Sequence, residues 1–451
     1  MSSSPLMILM ALTSFLMLPG GSLQAVKADA VTELLSRDDF QEAEILLDRL
    51  PRTAGAVAMR GEIEYRKGNF DRANSLYTDA LRMDAKAARA HFGLGKLAMA
   101  KLKAKQAVQE MTRAIELDPN EPLYRLYGSE AWALEKNYAE QRKQLEEYVR
   151  LNPSDPDRLA EAKAGLEMLK ALGTDVAVVS APANPAPIRF RKSLNLIFTG
   201  VMVNGKGPYD FALDTGATQT VLSEKLANQI GLQPVTTTIM HGVGGGGKID
   251  TKLYSVKEIG LGDVKIKNVP VGTFNDPLVT QLADGIFGTA ILADFIITVN
   301  YPANQLELSR KRNPNTTGEV LPAWYFSNLL LVPLEVNGQQ RGNFIVDTGA
   351  VTTVISHNMA ANLGVNEKTP GAKVDLGIAG VAGLEGVVLR VPNVTFKTAK
   401  NTEAFPQVIS IDMKGISKML GTEVSGVVGF DFLEQYKVTL DYYRAEVWLT
   451  K

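Results

Sequence analysis

The triplet Asp-Thr-Gly occurs twice in this chain, at Asp214 and Asp347, inside segments that read as copies: FALDTGATQTVLS and FIVDTGAVTTVIS. Val203-Asn204-Gly205 and Val336-Asn337-Gly338 repeat the match upstream, and the offset holds, since 336−203 and 347−214 both equal 133. A duplication of this kind constrains the fold strongly. Two equivalent strands must each end on an equivalent loop, and each loop must present one carboxylate. Two such carboxylates brought face to face can share a proton and activate a water between them.

The flanking residues show how each acid is delivered. An Asn-Gly pair between apolar runs is a hairpin signal. The second strand of each hairpin runs Phe211-Ala212-Leu213 or Phe344-Ile345-Val346 directly into the Asp, as a buried strand ending at a site does. Thr215 and Thr348 offer hydroxyls; Gly216 and Gly349 let backbone approach the carboxylate. Strand-like residues return at Thr220–Ser223 and Thr353–Ser356, and a short helical stretch closes at Gly231 and Gly364. Further on, Ile286-Phe287-Gly288 pairs with Val427-Val428-Gly429, now at 429−288 = 141. The second copy therefore carries eight extra residues, expected around Lys397 to Lys418, because loops absorb insertions at little cost.

These features make residues 188–451 resemble the retropepsin and pepsin superfamily of aspartic peptidases. Two DTGA motifs carry the resemblance, together with the apolar-apolar-Gly triplets and the run Gly429-Phe430-Asp431-Phe432-Leu433. It implies two small closed β-barrel lobes whose loops meet at a pseudo-twofold axis, with Thr215 and Thr348 cross-bonding the loops. It also implies hydrolysis of polypeptide by an Asp214/Asp347 dyad, with neither cofactor nor metal. The covering flaps are expected in the glycine-rich stretches at Gly244, Gly245 and Gly246 and at Gly380 and Val381. Neither stretch has the Tyr of pepsin-type flaps, which favours a retropepsin-like arrangement. Pepsin-type enzymes have Ser after the triplet; here it is Ala217 and Ala350, so a donor to the charged carboxylate is missing and a mildly acidic optimum is expected, roughly pH 4 to 6.5.

Residues 31–172 differ in kind, with Ala, Leu, Glu, Lys and Arg at helical spacing and a period of 34. Gly61, Gly95 and Ser129 share one column; Phe70, Ala104 and Tyr138 share another; Ala85, Pro119 and Pro153 a third. Small residues let two helices approach, aromatics fill the gap and proline stops the second helix. The pattern resembles tetratricopeptide repeats at 54–87, 88–121 and 122–155, after a shortened pair at Val31–Leu50 and before a capping helix at Asp157–Leu172. Such arrays dock peptides or protein partners, which makes a non-catalytic binding protein on an inert peptidase fold the alternative function.

The expected layout is multidomain α plus β: a signal peptide at 1–30, a helical solenoid at 31–172, a Pro/Ala linker at 173–187, lobe 1 at 188–310, a join at 311–320 and lobe 2 at 321–451. Pro182, Pro185 and Pro187 make the linker semi-extended, so it is expected to be protease-sensitive and the halves to fold separately. The apolar run Pro5–Leu18 is too short to span a bilayer and fits a signal h-region, although Met1–Ser4 lacks a basic residue. The chain is expected to be exported, periplasmic or secreted, with an uncleaved anchor as the alternative and no span in the mature protein. A net charge of −1 gives no drive toward nucleic acid, and zero cysteines exclude disulfides, thiolate metal sites and a Cys nucleophile. His91, His241 and His357 lack metal-site spacing. Asp250, Asp284, Asp294 and Asp431 read as loop or structural acids.

Overall fold

The computed structural model describes residues 30–35, 37–241, 248–312, 317–338, 340–374 and 387–451. Helix α1 (Phe40–Asp48) leads three helix pairs: α2 (Ala54–Arg66) with α3 (Phe70–Met83), α4 (Ala88–Ala100) with α5 (Ala104–Leu117), and α6 (Pro122–Leu134) with α7 (Tyr138–Arg150), closed by α8 (Pro156–Leu172). First helices start at 54, 88 and 122, so the 34-residue period of the sequence is the period of the solenoid. Packing explains the small column. Tyr77 and Met111 are buried, and a Cβ on Gly61 would lie 2.7 Å from the Tyr77 ring and one on Gly95 2.8 Å from Met111. Residues 68, 102 and 136, one per intra-repeat turn, all have left-handed backbone, with φ of 78°, 55° and 58°.

Beyond the solenoid lie two lobes of mixed sheet. In lobe 1 the strand Lys206–Asp214 pairs antiparallel with Leu196–Val203 and parallel with Gly285–Gly288. In lobe 2, Gln340–Val346 pairs in the same way with Leu329–Val336 and Gly426–Val428. Both Asn-Gly hairpin turns have positive φ, at 51° and 75° for Asn204-Gly205 and 50° and 71° for Asn337-Gly338. A third, six-stranded sheet joins the lobes, with Ile296–Asn300 of lobe 1 antiparallel to Lys437–Asp441 of lobe 2. Its central pair is Thr298 opposite Thr439, whose hydroxyls lie 2.8 Å apart. Since 439−298 is 141, the two are copies of one position, and the pseudo-twofold axis runs between them.

The eight extra residues of lobe 2 enter as two fours. Gly364 still follows the 133 offset from Gly231, but Phe396 pairs as Ile259 does, at 396−259 = 137. The hairpin after Phe396 has the same length in both lobes, because its ladder leaves no room for insertion. A second four enter between Ile411 and Gly426, a stretch that carries the helix Lys414–Leu420. The expected single insertion at Lys397–Lys418 is corrected accordingly.

The two halves are not separate bodies. The turn edge of the solenoid docks on lobe 2. Thr422 Oγ1 donates to the Tyr65 carbonyl at 2.9 Å, and the Glu423 N–H donates to the Arg66 carbonyl at 2.7 Å. Asn343 Nδ2 donates to the Gly68 carbonyl at 3.3 Å, and Lys101 Nζ lies 3.4 Å above the Trp324 ring while donating to the Ala323 carbonyl at 3.1 Å. Phe70 packs on Trp324 at 4.3 Å and on Phe326 at 5.6 Å, and Lys136 pairs with Asp294 of lobe 1. One buried cluster runs from Tyr65, Phe70 and Tyr77 through Leu331, Ile345 and Val424. At the other end, Ala164, Met168 and Leu172 of α8 close over Leu253. The 173–187 stretch is no free linker either: Val178–Ser180 adds a strand to the edge of Val264–Phe274, and Glu319–Pro322, overlapping the join at 311–320, pairs with the C-terminal strand. Against the expectation of independent halves, each leaves an apolar face that the other covers.

Phe70 is 3 % exposed, so Phe70→Ala should cost about 3–5 kcal/mol and lower the melting of both halves together in calorimetry. A chain starting at Ile188 should be insoluble or aggregate; a well-folded monomer from that start would show that the interface is dispensable.

Candidate active site

Each acid stands where a buried strand meets a loop. Phe211 and Leu213 are 0 % and 1 % exposed, and Phe344 and Val346 are as deeply buried, so both strands are fixed up to the Asp. Gly288 pairs with Asp214 across the parallel ladder, and the loop after the triplet crosses directly against it. A Cβ on Gly288 would fall 2.8 Å from the Gln219 backbone, and one on Gly429 would fall 2.6 Å from the Thr352 carbonyl. Only glycine fits at these two crossings.

The loops grip one another. The Thr215 N–H donates to Thr348 Oγ1 at 3.2 Å, and the Thr348 N–H donates to Thr215 Oγ1 at 3.0 Å. The hydroxyls in turn donate onward, Thr215 Oγ1 to the Val346 carbonyl at 2.7 Å and Thr348 Oγ1 to the Leu213 carbonyl at 2.8 Å. Both threonines are buried, at 2 % and 1 % exposure. Gly216 lies against the opposite acid, where a Cβ would sit 2.3 Å from Asp347 Cγ; for Gly349 the distance to Asp214 Cγ is 2.4 Å. The structure thus brings Asp214, Thr215, Gly216, Asp347, Thr348 and Gly349 into one cluster.

Each carboxylate also accepts from its own loop, Asp214 Oδ1 from the Gly216 N–H and Asp347 Oδ1 from the Gly349 N–H, both at 2.7 Å. The acids touch solvent but have protein packed closely around them. That burial raises the Asp214 pKa well above the usual range, and the charge and hydrogen bond of Asp347 raise it further; the Gly216 and Ala217 amides oppose this. Burial also raises Asp347, against the hydrogen bond from Asp214 and backbone amides. The pair holds one proton to higher pH than two isolated aspartates would.

Other singled-out residues fall elsewhere. The flap candidates Gly244, Gly245, Gly246, Gly380 and Val381 lie outside the described residues. His91 meets Glu110 at 2.7 Å in the solenoid, and His357 meets Ser410 at 2.7 Å. Asp294 serves the domain interface. Asp284 accepts from the Asp210 N–H at 3.1 Å. Asp431, read as a loop or structural acid, is structural. It accepts from Thr352 Oγ1 at 2.8 Å, the Thr353 N–H at 2.8 Å and Thr353 Oγ1 at 2.6 Å, clamping the loop that follows Asp347. Lobe 1 has Ala290 there (431−290 = 141) and no such clamp. The 141 offset was available in the sequence to reveal this difference.

Residues 199–291 and 332–432 match the aspartyl protease family, and residues 58–122 and 95–156 match the tetratricopeptide repeat. One aspartyl protease model thus matches in two segments, behind the match to tetratricopeptide repeats. Among solved structures it is similar to the type III secretion translocator chaperone SycD of Yersinia enterocolitica, at 19% identity over 26% of this chain and 81% of that one, TM-score 0.24. It is also similar to PcrH in complex with the chaperone binding region of PopD, at 23% identity over 26% of this chain and 89% of that one, TM-score 0.24. A MamA mutant is similar at 17% identity over 34% of this chain and 88% of that one, TM-score 0.26. No curated protein matches the chain. Among the described residues no helix is long and apolar enough to cross a membrane.

The raised pKa values carry a stability consequence. Well below the unfolded aspartate pKa both states are protonated and the pair costs nothing. As pH rises beyond it, the unfolded chain ionises freely while the folded pair resists, so stability is lost up to the folded pKa values. Asp214→Asn should therefore raise Tm at pH 7 by about 3 °C or more, and barely at pH 3, in paired thermal melts. An equal shift at both pH values would refute the coupled pair.

Proposed function

We propose that this chain is an exported aspartic endopeptidase that hydrolyses polypeptide, with the helical repeats serving as a docking element. The observation that carries the reading is the reciprocal placement of the two acids, each against the other loop's glycine and both held by one threonine grip. One carboxylate, ionised, takes a proton from a water lying between the pair. The other, protonated, hydrogen-bonds the scissile carbonyl and later gives its proton to the leaving amine. Water attacks the carbonyl carbon directly, so no covalent acyl intermediate forms. The two roles belong to the pair, which titrates as a unit. Export is supported by the apolar run Pro5–Leu18. The turn edge of the repeats is engaged by lobe 2, which leaves their remaining surface for a protein partner or for the substrate chain.

The test is cleavage of a mixed peptide pool followed by mass spectrometry. Asp214→Asn and Asp347→Asn should each lower kcat by about 10³-fold or more, and the double variant should be little worse, since the acids act together. Substantial turnover in either single variant would overturn the dyad.

The reaction needs one acid and one base at once, so activity falls when the pair loses its last shared proton and also when it gains a second. Raised values move that window upward, to a mildly acidic optimum at about pH 4 to 6.5. Ala217→Ser with Ala350→Ser adds a hydroxyl donor to each charged form, and the acidic limb of the rate profile should shift to lower pH. A wild-type maximum near pH 2, or no shift in the Ser variant, would contradict this account.

A further inference from the structure

The hairpin turn that opens each lobe hydrogen-bonds to the other lobe's acid loop. Asn195 Nδ2 donates to the Val351 carbonyl at 3.3 Å, and Asn328 Nδ2 donates to the Thr218 carbonyl at 2.7 Å. Both 328−195 and 351−218 equal 133, so this is one contact made twice about the pseudo-twofold axis. The turns share a backbone, with φ of 51° and 59° at Leu194 and Asn195 and 45° and 74° at Ser327 and Asn328. Val351 and Thr218 each stand four residues beyond their Asp, so both contacts are made on the loops that carry the acids.

The chemistry at the two places differs. On one side are Leu194 and Val351, 67 % and 40 % exposed; Leu194 is the most exposed large apolar side chain among the described residues. On the other side the same positions are Ser327 and Thr218, both hydroxyl-bearing. Backbone geometry is the same, so the contrast is one of side-chain chemistry alone. Apolar surface left in water at an acid loop gains when a ligand's apolar group covers it, whereas hydroxyls favour a ligand that can hydrogen-bond.

We propose that Leu194 and Val351 make the cleft directional: they take a bulky apolar side chain of the substrate on one side of the scissile bond, while Ser327 and Thr218 take a small or polar one on the other. The substrate class is thus polypeptide with a single bulky apolar residue placed asymmetrically about the cleaved bond. The inference rests on the peptidase reading, and its test separates the two.

Peptide libraries are digested with the full chain, and cleavage sites are aligned on the scissile bond. Wild type should show apolar preference on one side only. In Leu194→Ser with Val351→Thr, the ratio of kcat/KM for apolar against polar peptides should fall about tenfold, the scale of losing apolar contact in a pocket. Adding Ser327→Leu and Thr218→Val should move the preference to the other side of the bond. A symmetric wild-type preference, or a ratio unchanged in the variants, overturns the proposal. If wild type cleaves no peptide, the peptidase reading fails, and the same peptides are then compared by equilibrium binding. A binding preference for apolar peptides that disappears in Leu194→Ser with Val351→Thr supports the polarity of the cleft, and an unchanged one overturns it.

Discussion

Two carboxylates that repel one another are held together by two buried threonine hydroxyls, each accepting an N–H of the opposite loop and donating to the strand behind it. Buried bonds of this kind contribute about 1 kcal/mol each. Their larger effect is geometric, since neither loop can move without breaking bonds to the other. Gly216 and Gly349 must be glycine because of that closeness, and Gly288 and Gly429 because a second chain passes behind. The six-stranded sheet extends the constraint, placing Thr298 against its own copy Thr439 on the axis. The site is an interface between two halves of one chain, and its acids are raised in pKa by the burial and proximity that the interface imposes.

The halves are copies in backbone but not in surface. Trp324, Phe326, Leu331 and Ile345 of lobe 2 face the repeats; 133 residues earlier stand Arg191, Ser193, Phe198 and Ala212. In lobe 1 Arg191 pairs with Asp210 and lies 4.2 Å over Phe198, so a charged side chain covers what a helix covers in lobe 2. That difference decides which lobe the solenoid binds. The extra residues between Ile411 and Gly426 serve the same end, since Thr422 and Glu423 supply the hydrogen bonds to the end of α2. Duplication built the site, and divergence of one outer face gave the repeats a place to dock.

The sequence by itself determined the parts that depend on local chemistry and on repetition. A 34-residue period fixes helix starts, because each pair must present the same small and aromatic residues to its neighbour. An Asn-Gly hairpin followed by apolar residues and Asp-Thr-Gly fixes a strand ending on an acid, and doing so twice implies a pair. Tertiary structure alone decided what depends on distant surfaces meeting. The proline-containing stretch reads as a linker, yet Val178–Ser180 finds a sheet edge that no local signal announces. The halves read as independent, yet the apolar residues of Trp324–Phe326 are ordinary strand residues until α3 covers them. Asp431 reads as a loop or structural acid, and only the folded chain brings Thr352 and Thr353 to it. Periodicity and motif record what a residue does for its own segment; which face another segment buries is settled only when the folded chain brings the two together.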